Sequence, residues 1–252
     1  MSSAEPTRGS DSAGLLIVTG GGSGIGAAVA RQAAREGWMV LNLSRSGMRE
    51  PLTAEERSRI ESVQVDLVHD WRRSAMGLTE TAVKRHTRTA RRIALVHNAA
   101  FSFNDTAQAP RISEMSALLE LSTLIPARLN ELVIPRMQRG SSIVYIGSTL
   151  SHKGVAGSLS YITAKHALLG LARATAKDLY GTGIHALCVC PGPTETPMLS
   201  GLYGEERHRM FAPLMSEGRL ATPEEIARVV LFATASPQMN GALIDAAFGE
   251  HL

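Results

Sequence analysis

A run of β-prone apolar residues, Leu15–Thr19 (LLIVT), passes directly into TGGGSGIG at 19–26, and this junction constrains the fold more tightly than any other feature. Glycines at 20, 24 and 26 permit a tight turn after a strand, close approach of the backbone to a ligand, and packing of the next helix on the sheet. Residues 24–36 then put Ile25, Ala28, Val29, Gln32 and Ala33 at helical spacing. Strand, glycine loop and helix in this order offer unpaired N–H groups and the positive end of a helix dipole to an anion. A pyrophosphate suits that arrangement. The spacing is GxxxGxG, not the GxGxxG of the common dinucleotide fingerprint.

The same alternation continues along the chain. Residues 38–43, 63–65, Ile93–His97, Ser142–Ile146, 184–189 and 243–245 read as strands, and 113–137, 158–180 and 223–235 as helices. Thr222, Pro223 and Glu225 supply an N-cap, an N1 proline and a capping-box acid for the last helix. Strands alternating with helices imply right-handed βαβ units and a parallel sheet covered on both faces. At 252 residues, with no Pro/Gly/Ser linker in its middle, the chain is expected to form one doubly wound α/β domain over 14–252, after a disordered tail over 1–13.

Composition excludes several classes. With 44% hydrophobic residues the chain is neither collagen-like nor mostly disordered. No apolar run approaches the ~18–20 residues of a membrane span, and MSSAEPTRGSDSAG has no secretory h-region, so a soluble cytoplasmic protein without a membrane partner is expected. The net charge of +3, from 26 Lys+Arg and 23 Asp+Glu, is weak evidence for a polyanion partner. The basic stretch over 72–92 has Trp71 as its only aromatic neighbour and reads as a solvated helix face, not a nucleic-acid surface. Cys188 and Cys190, two apart on a strand, have poor disulfide geometry and read as core residues of a reducing compartment. Two thiols alone do not make a zinc site, and with no metal-ligand spacing among the eight histidines no metal site is expected.

Five motifs in order, TGGGSGIG, HNAA at 97–100, Ser148, YITAK at 161–165 and PGPTET at 191–196, resemble those of the short-chain dehydrogenase/reductase family. The resemblance covers nearly all of 15–249 and implies a single-domain Rossmann-like fold and a nicotinamide dinucleotide. It assigns the cofactor to Gly20, Ser23, Gly24, Ile25 and Gly26, to Ser44, Arg45 and Ser46, to Asp66 and Leu67, to Asn98, Ala99 and Ala100, to Tyr161 and Lys165, and to Pro191, Gly192, Thr194 and Thr196. NAD-using relatives commonly end the second strand on an acid. Here Ser44 occupies that place and Arg45 follows, a pair that tolerates and attracts a 2′-phosphate, so NADP(H) is expected in preference to NAD(H).

Tyr161 and Lys165 are i and i+4 and stack on one helix face. A free phenol is a poor base at neutral pH, and a neighbouring ammonium stabilises the phenolate and brings it into acid/base range. By resemblance Lys165 also binds the nicotinamide ribose, while Ser148 donates a hydrogen bond to the substrate oxygen. Ser122 stands where the family usually has an asparagine whose main-chain carbonyl holds a water linked to the lysine. Pro126, four residues on, has no N–H, so it is expected to free the Ser122 carbonyl and preserve that relay; a mere helix kink is the alternative.

Met198, Leu199, Leu202, Tyr203, Met210, Phe211, Leu214 and Met215 suggest an apolar lid over the substrate, with ordinary packing as the alternative, and His152 reads as exposed. The expectation is an NADP-dependent carbonyl reductase or alcohol dehydrogenase acting on a small molecule, assembled as a homotetramer or homodimer. A nucleotide-sensing protein without turnover is the rival. An extended-family epimerase is disfavoured, because only about 60 residues follow the PG motif.

Overall fold

A computed structural model describes residues 14–73 and 76–250, so the tail expected over 1–13 and the last two residues lie outside the described residues. Seven strands, β1 (Leu15–Thr19), β2 (Met39–Ser44), β3 (Ile60–Gln64), β4 (Ile93–His97), β5 (Ser142–Ile146), β6 (His185–Pro191) and β7 (Leu243–Ala246), form one sheet in the order β3-β2-β1-β4-β5-β6-β7. Every pairing is parallel. The order reverses between β1 and β4, and a crevice opens at the carboxyl ends of strands at such a switch point.

The helices are α1 (Gly24–Arg35), α2 (Ala54–Arg59), α3 (Leu67–Arg72), α4 (Gly77–Thr87), α5 (Ile112–Leu119), α6 (Ile125–Val133), α7 (Leu159–Asp178), α8 (Pro197–Tyr203), α9 (Glu206–Phe211) and α10 (Pro223–Thr234). Leu16 and Val18 of β1 join α1 and α10 on one face, while Leu15 and Ile17 join α4, α6 and α7 on the other. Burial on both faces explains why β1, β4 and β5 read as continuous apolar runs instead of alternating ones. The capping box of Thr222 and Glu225 is formed as expected.

Three local expectations need correction. β3 begins at Ile60, not at 63; as an edge strand with exposed Glu61 and Ser62 it carries no continuous apolar signal. β6 runs on to Pro191 at its final position, where a missing N–H costs little. The single helix expected over 113–137 is broken into α5, a π-helical turn over Glu120–Leu124, α6 and a short 3₁₀ turn over Ile134–Arg136. Pro126 is the physical cause of the π turn: with no N–H at 126, the Ile125 N–H bonds the Glu120 carbonyl, five residues back.

Two glycines of the first loop are required by geometry. Gly20 has φ +69°, and a Cβ there would lie 2.9 Å from the Ala99 Cα. A Cβ on Gly26 would strike the Asn98 amide and lie 2.5 Å from the Gly20 carbonyl oxygen. Gly26→Ala should therefore lower stability by about 1–3 kcal/mol, read as a lower denaturant midpoint at unchanged slope. An unchanged midpoint would mean that the loop shifts freely.

Candidate active site

The turn from β1 into α1 is tied to β4 through four hydrogen bonds. Thr19 Oγ1 accepts from the backbone N–H groups of Asn98 and Ala99, both at 3.0 Å. Asn98 Nδ2 donates to the Thr19 and Gly20 carbonyls at 3.0 and 3.2 Å. Above this tie lies a cleft of about 1080 Å³ across the carboxyl ends of the strands.

Of the residues expected to hold the cofactor, Gly20, Ser23, Gly24, Ile25, Ser44, Arg45, Ser46, Asp66, Leu67, Asn98, Ala99, Ala100, Tyr161, Lys165, Pro191, Gly192, Thr194 and Thr196 all line the cleft. Gly26 does not; it is buried where α1 packs against Asn98. The Ser44 hydroxyl is buried with no hydrogen-bond partner among the described residues, which fits a binding site for a polar group. Two threonines are already engaged: Thr194 Oγ1 donates to the Gly192 carbonyl at 2.8 Å, and Thr196 Oγ1 caps α8 by accepting from Leu199 N–H at 3.3 Å.

Sequence reasoning missed part of the lining. Gly22, Arg49, Arg72, Arg73 and Glu250 also line the cleft; Arg72 and Arg73 are exposed, as the solvated reading of 72–92 expects, but at the rim of the cleft. Arg72 is tied to Glu120 at 2.8 Å, whereas no carboxylate pairs with Arg45 or Arg73 among the described residues. Their placement depends on β2 and β3 pairing in parallel, Ser44 against Gln64, so that the segments following both strands reach one cleft, which no local pattern encodes. Of the expected lid, Met198, Leu199, Leu202, Tyr203 and Phe211 line the cleft, with the Tyr203 and Phe211 rings edge-on at 4.9 Å. Met210 and Leu214 are exposed and Met215 is buried elsewhere.

Ser148, Tyr161 and Lys165 share this cleft. Ser148 caps a 3₁₀ turn over Thr149–Ser151: its N–H donates to Ser151 Oγ at 3.1 Å and its Oγ accepts from Leu150 N–H at 3.2 Å. The Ser148 proton stays free to donate outward, because a hydroxyl that accepts still carries its donor. Tyr161 packs beside Phe101, Phe103, Leu118 and Ala164. Its helix, α7, is anchored by the Asp105 carboxylate, which accepts from Ser160 N–H at 3.0 Å and Ser160 Oγ at 2.5 Å. Burial raises the Asp105 titration, but these bonds outweigh it and hold the carboxyl below its ordinary value.

Lys165 is 3% exposed, and its ammonium donates to the Ile146 carbonyl at 2.8 Å and lies 5.5 Å from the Tyr161 ring centre. No carboxylate pairs with it among the described residues. Ser122, in contrast, is 2% exposed and lines neither the cleft nor the small cavity behind Lys165. Its neighbour Leu121 lines both.

The cysteines are free and buried, with Sγ atoms 3.7 Å apart. The hydrogen bond with the Cys188 thiol lowers the titration of Cys190. A histidine remote in sequence does approach them, since His152, Cys190 and Asp245 place one ligand atom each within 4.8 Å of one another. His152 Nε2 is bonded to Asp245 Oδ1 at 2.9 Å, so its ring is only partly exposed.

A sequence profile described as enoyl-(acyl carrier protein) reductase matches residues 20–248. The short-chain dehydrogenase/reductase cdmF of Talaromyces verruculosus is 30% identical over 250 residues, covering 91% of this chain and 94% of that protein. The chain belongs to the short-chain dehydrogenase/reductase family. Carbonyl reductase family member 4 of Xenopus laevis is 29% identical over 232 residues, covering 91% of this chain and 94% of its own. A Beutenbergia cavernae protein whose crystal structure holds NADP at low occupancy superposes with a TM-score of 0.82 at 27% identity, over 95% of this chain and 97% of that one. Family membership makes the protein an NAD(P)-dependent oxidoreductase, and among the described residues no helix is long and apolar enough to cross a membrane.

The break in the helix separates the roles of Ser122 and Pro126. Ser122 presents no side chain to the cleft, while Pro126 sets which carbonyls lose their helical donors. Ser122→Ala should leave kcat within about twofold, whereas Pro126→Ala, which restores an N–H, should lower it by on the order of tenfold or more, toward the scale of a proton-transfer contribution. Steady-state kinetics on both variants decides this; equal effects would overturn it.

Proposed function

We propose that the protein is an NADP-dependent oxidoreductase that interconverts a carbonyl compound and its alcohol, with Tyr161 as general acid and base. The observation that carries this reading is one cleft lined both by Ser148, Tyr161 and Lys165 and by Ser44 and Arg45. When bound, the nicotinamide supplies or accepts the hydride. Tyr161 gives its phenolic proton to the substrate oxygen during reduction and takes it back during oxidation. The Lys165 ammonium favours the phenolate form by its charge, and Ser148 donates its free proton to the same oxygen as negative charge develops there.

The cofactor residues divide along the cleft. Ser23, Gly24 and Ile25 at the start of α1 hold the pyrophosphate against backbone N–H groups, with Gly20 giving the turn and Gly26 the packing. Asp66 and Leu67 would hold the adenine, and Asn98, Ala99, Ala100, Pro191, Gly192, Thr194 and Thr196 would hold the nicotinamide half. Arg45, with Ser44 and Ser46 beside it, receives the 2′-phosphate, and Arg73 adds charge nearby. An apolar substrate is supported by Phe101, Leu150, Val155, Met198, Leu202 and Phe211 along the rest of the cleft. The buried free thiols fit a cytoplasmic setting. Exposed Ile112 and Leu124, on α5 and the π turn, fit assembly into a homodimer or homotetramer through that face.

Two experiments test the reading. Tyr161→Phe should abolish turnover of a ketone and aldehyde panel with NADPH while leaving nucleotide binding intact, and Ser148→Ala should lower kcat by about 10²–10³. NADPH binding without turnover across the panel would favour the nucleotide-sensing alternative. Separately, Arg45→Ala should weaken NADPH binding by on the order of tenfold or more, the scale of a hydrogen bond to a charged group, and spare NADH binding. Equal losses for both nucleotides in fluorescence titration would remove the basis for the NADP preference.

A further inference from the structure

Outside the cleft, the register of the sheet brings three donors of different chemistry together. β6 and β7 pair in parallel with Cys190 opposite Asp245, and partners in such a pair project from the same face of the sheet. β5 ends beside them at Ile146, opposite Val189. The 3₁₀ turn over Thr149–Ser151 that follows β5 then delivers His152 to Asp245. As a result His152 Nε2, Cys190 Sγ and an Asp245 carboxylate oxygen all lie within 4.8 Å of one another. None of the three residues lines the cleft.

The charges around this group leave room for a cation. Among the described residues Asp245 has His152 as its only ion-pair partner, Nε2 to Oδ1 at 2.9 Å, and no lysine or arginine competes for the carboxylate. Lys153, next in the chain, is paired with Glu250 at 2.5 Å. The buried Lys165 ammonium bears on Cys188, whereas the Asp245 carboxylate bears on Cys190. Space at the sulfurs is kept by Gly147: a Cβ there would lie 2.8 Å from Cys188 Sγ, Cys190 Sγ and Ser151 Oγ alike. Access from solvent runs past the side chains of Asp245 and His152, 37% and 25% exposed, to the fully buried Cys190.

We propose that His152, Cys190 and Asp245 form a site for one zinc ion, with solvent as the fourth ligand. A thiolate disfavours hard cations such as Mg²⁺ and Ca²⁺, and a mixed sulfur, nitrogen and oxygen set suits tetrahedral zinc. Bonds of about 2.3 Å to sulfur and about 2.0–2.2 Å to nitrogen and oxygen put tetrahedral ligand atoms about 3.3–3.6 Å apart. The site therefore closes by side-chain shifts on the order of an ångström. Charge balances as well: the thiolate and the carboxylate cancel the charge of the divalent ion, and the imidazole ligates as the neutral Nδ1–H form. The Cys190 proton leaves to solvent. Cys188 stays a protonated neighbour, its Sγ 3.7 Å from that of Cys190. Bound zinc clips the turn after β5, whose N-cap is Ser148, to β6 and β7.

Calorimetric titration of the untagged, phosphine-reduced protein with Zn²⁺ should show one ion bound per chain. His152→Ala and Asp245→Asn, both at partly exposed positions, should each weaken binding by at least about tenfold, since loss of an outer-shell partner alone costs that much. Co²⁺ in place of zinc should give the ultraviolet thiolate charge-transfer band, retained in Cys188→Ser and absent from Cys190→Ser. At a zinc concentration about a hundredfold above Kd, the melting temperature of the wild type should rise by roughly 5–10 °C, and that of His152→Ala should stay nearly constant. Binding that survives His152→Ala and Asp245→Asn unchanged would overturn the site, as would a cobalt complex with no thiolate band or one that depends on Cys188 instead. A protein that takes up no zinc would reduce His152 and Asp245 to a plain ion pair and end the proposal. Should Cys190→Ser fail to fold, the two partly exposed variants and the wild-type cobalt spectrum decide the matter. None of these readouts depends on turnover.

Discussion

The tie between Thr19 and Asn98 is the interaction on which the rest depends. At a switch point two neighbouring strands, β1 and β4, send their chains to opposite faces of the sheet, and the crevice between them stays open only if the diverging backbones are held. One threonine hydroxyl and one asparagine amide do this through four bonds within 3.2 Å. The same amide lies against Gly26, so strand, loop and helix are fixed by one side chain. A nucleotide cradle built from backbone N–H groups has no adaptable side chains, and its precision is that of this frame.

The second constraint is a buried cation. Lys165 is almost fully enclosed and has no carboxylate partner among the described residues, an expensive arrangement unless dipoles replace the lost solvation. The Ile146 carbonyl supplies one dipole directly. The broken helix over residues 112–136 supplies the means for another, because a proline in its middle leaves carbonyls without donors next to that lysine.

Legibility in the sequence followed the range of the interactions. The parallel sheet, the glycine loop, the Tyr161–Lys165 spacing and the capping box of α10 depend on residues a few positions apart, and each is formed. The third strand was misplaced because an edge strand of sequence IESVQ buries little and so has no apolar run to announce it. Pro126 was legible as a missing donor, but the register shift it causes was not: whether Ser122 or Leu121 faces Lys165 depends on how the helix absorbs the fault. The lining arginines at 72 and 73, and the approach of His152 to Cys190, join residues that no local pattern connects.

The sequence by itself determined the fold class, the family and the set of residues able to carry acid/base chemistry, because periodicity, glycine placement and short spacings act within one or two elements. Tertiary structure alone decided that Ser148 keeps a free proton, and that the buried Ser44 hydroxyl is left without a partner among the described residues. Those facts depend on which groups remain unsatisfied after every other hydrogen bond has formed, and that remainder exists only once the whole chain has packed.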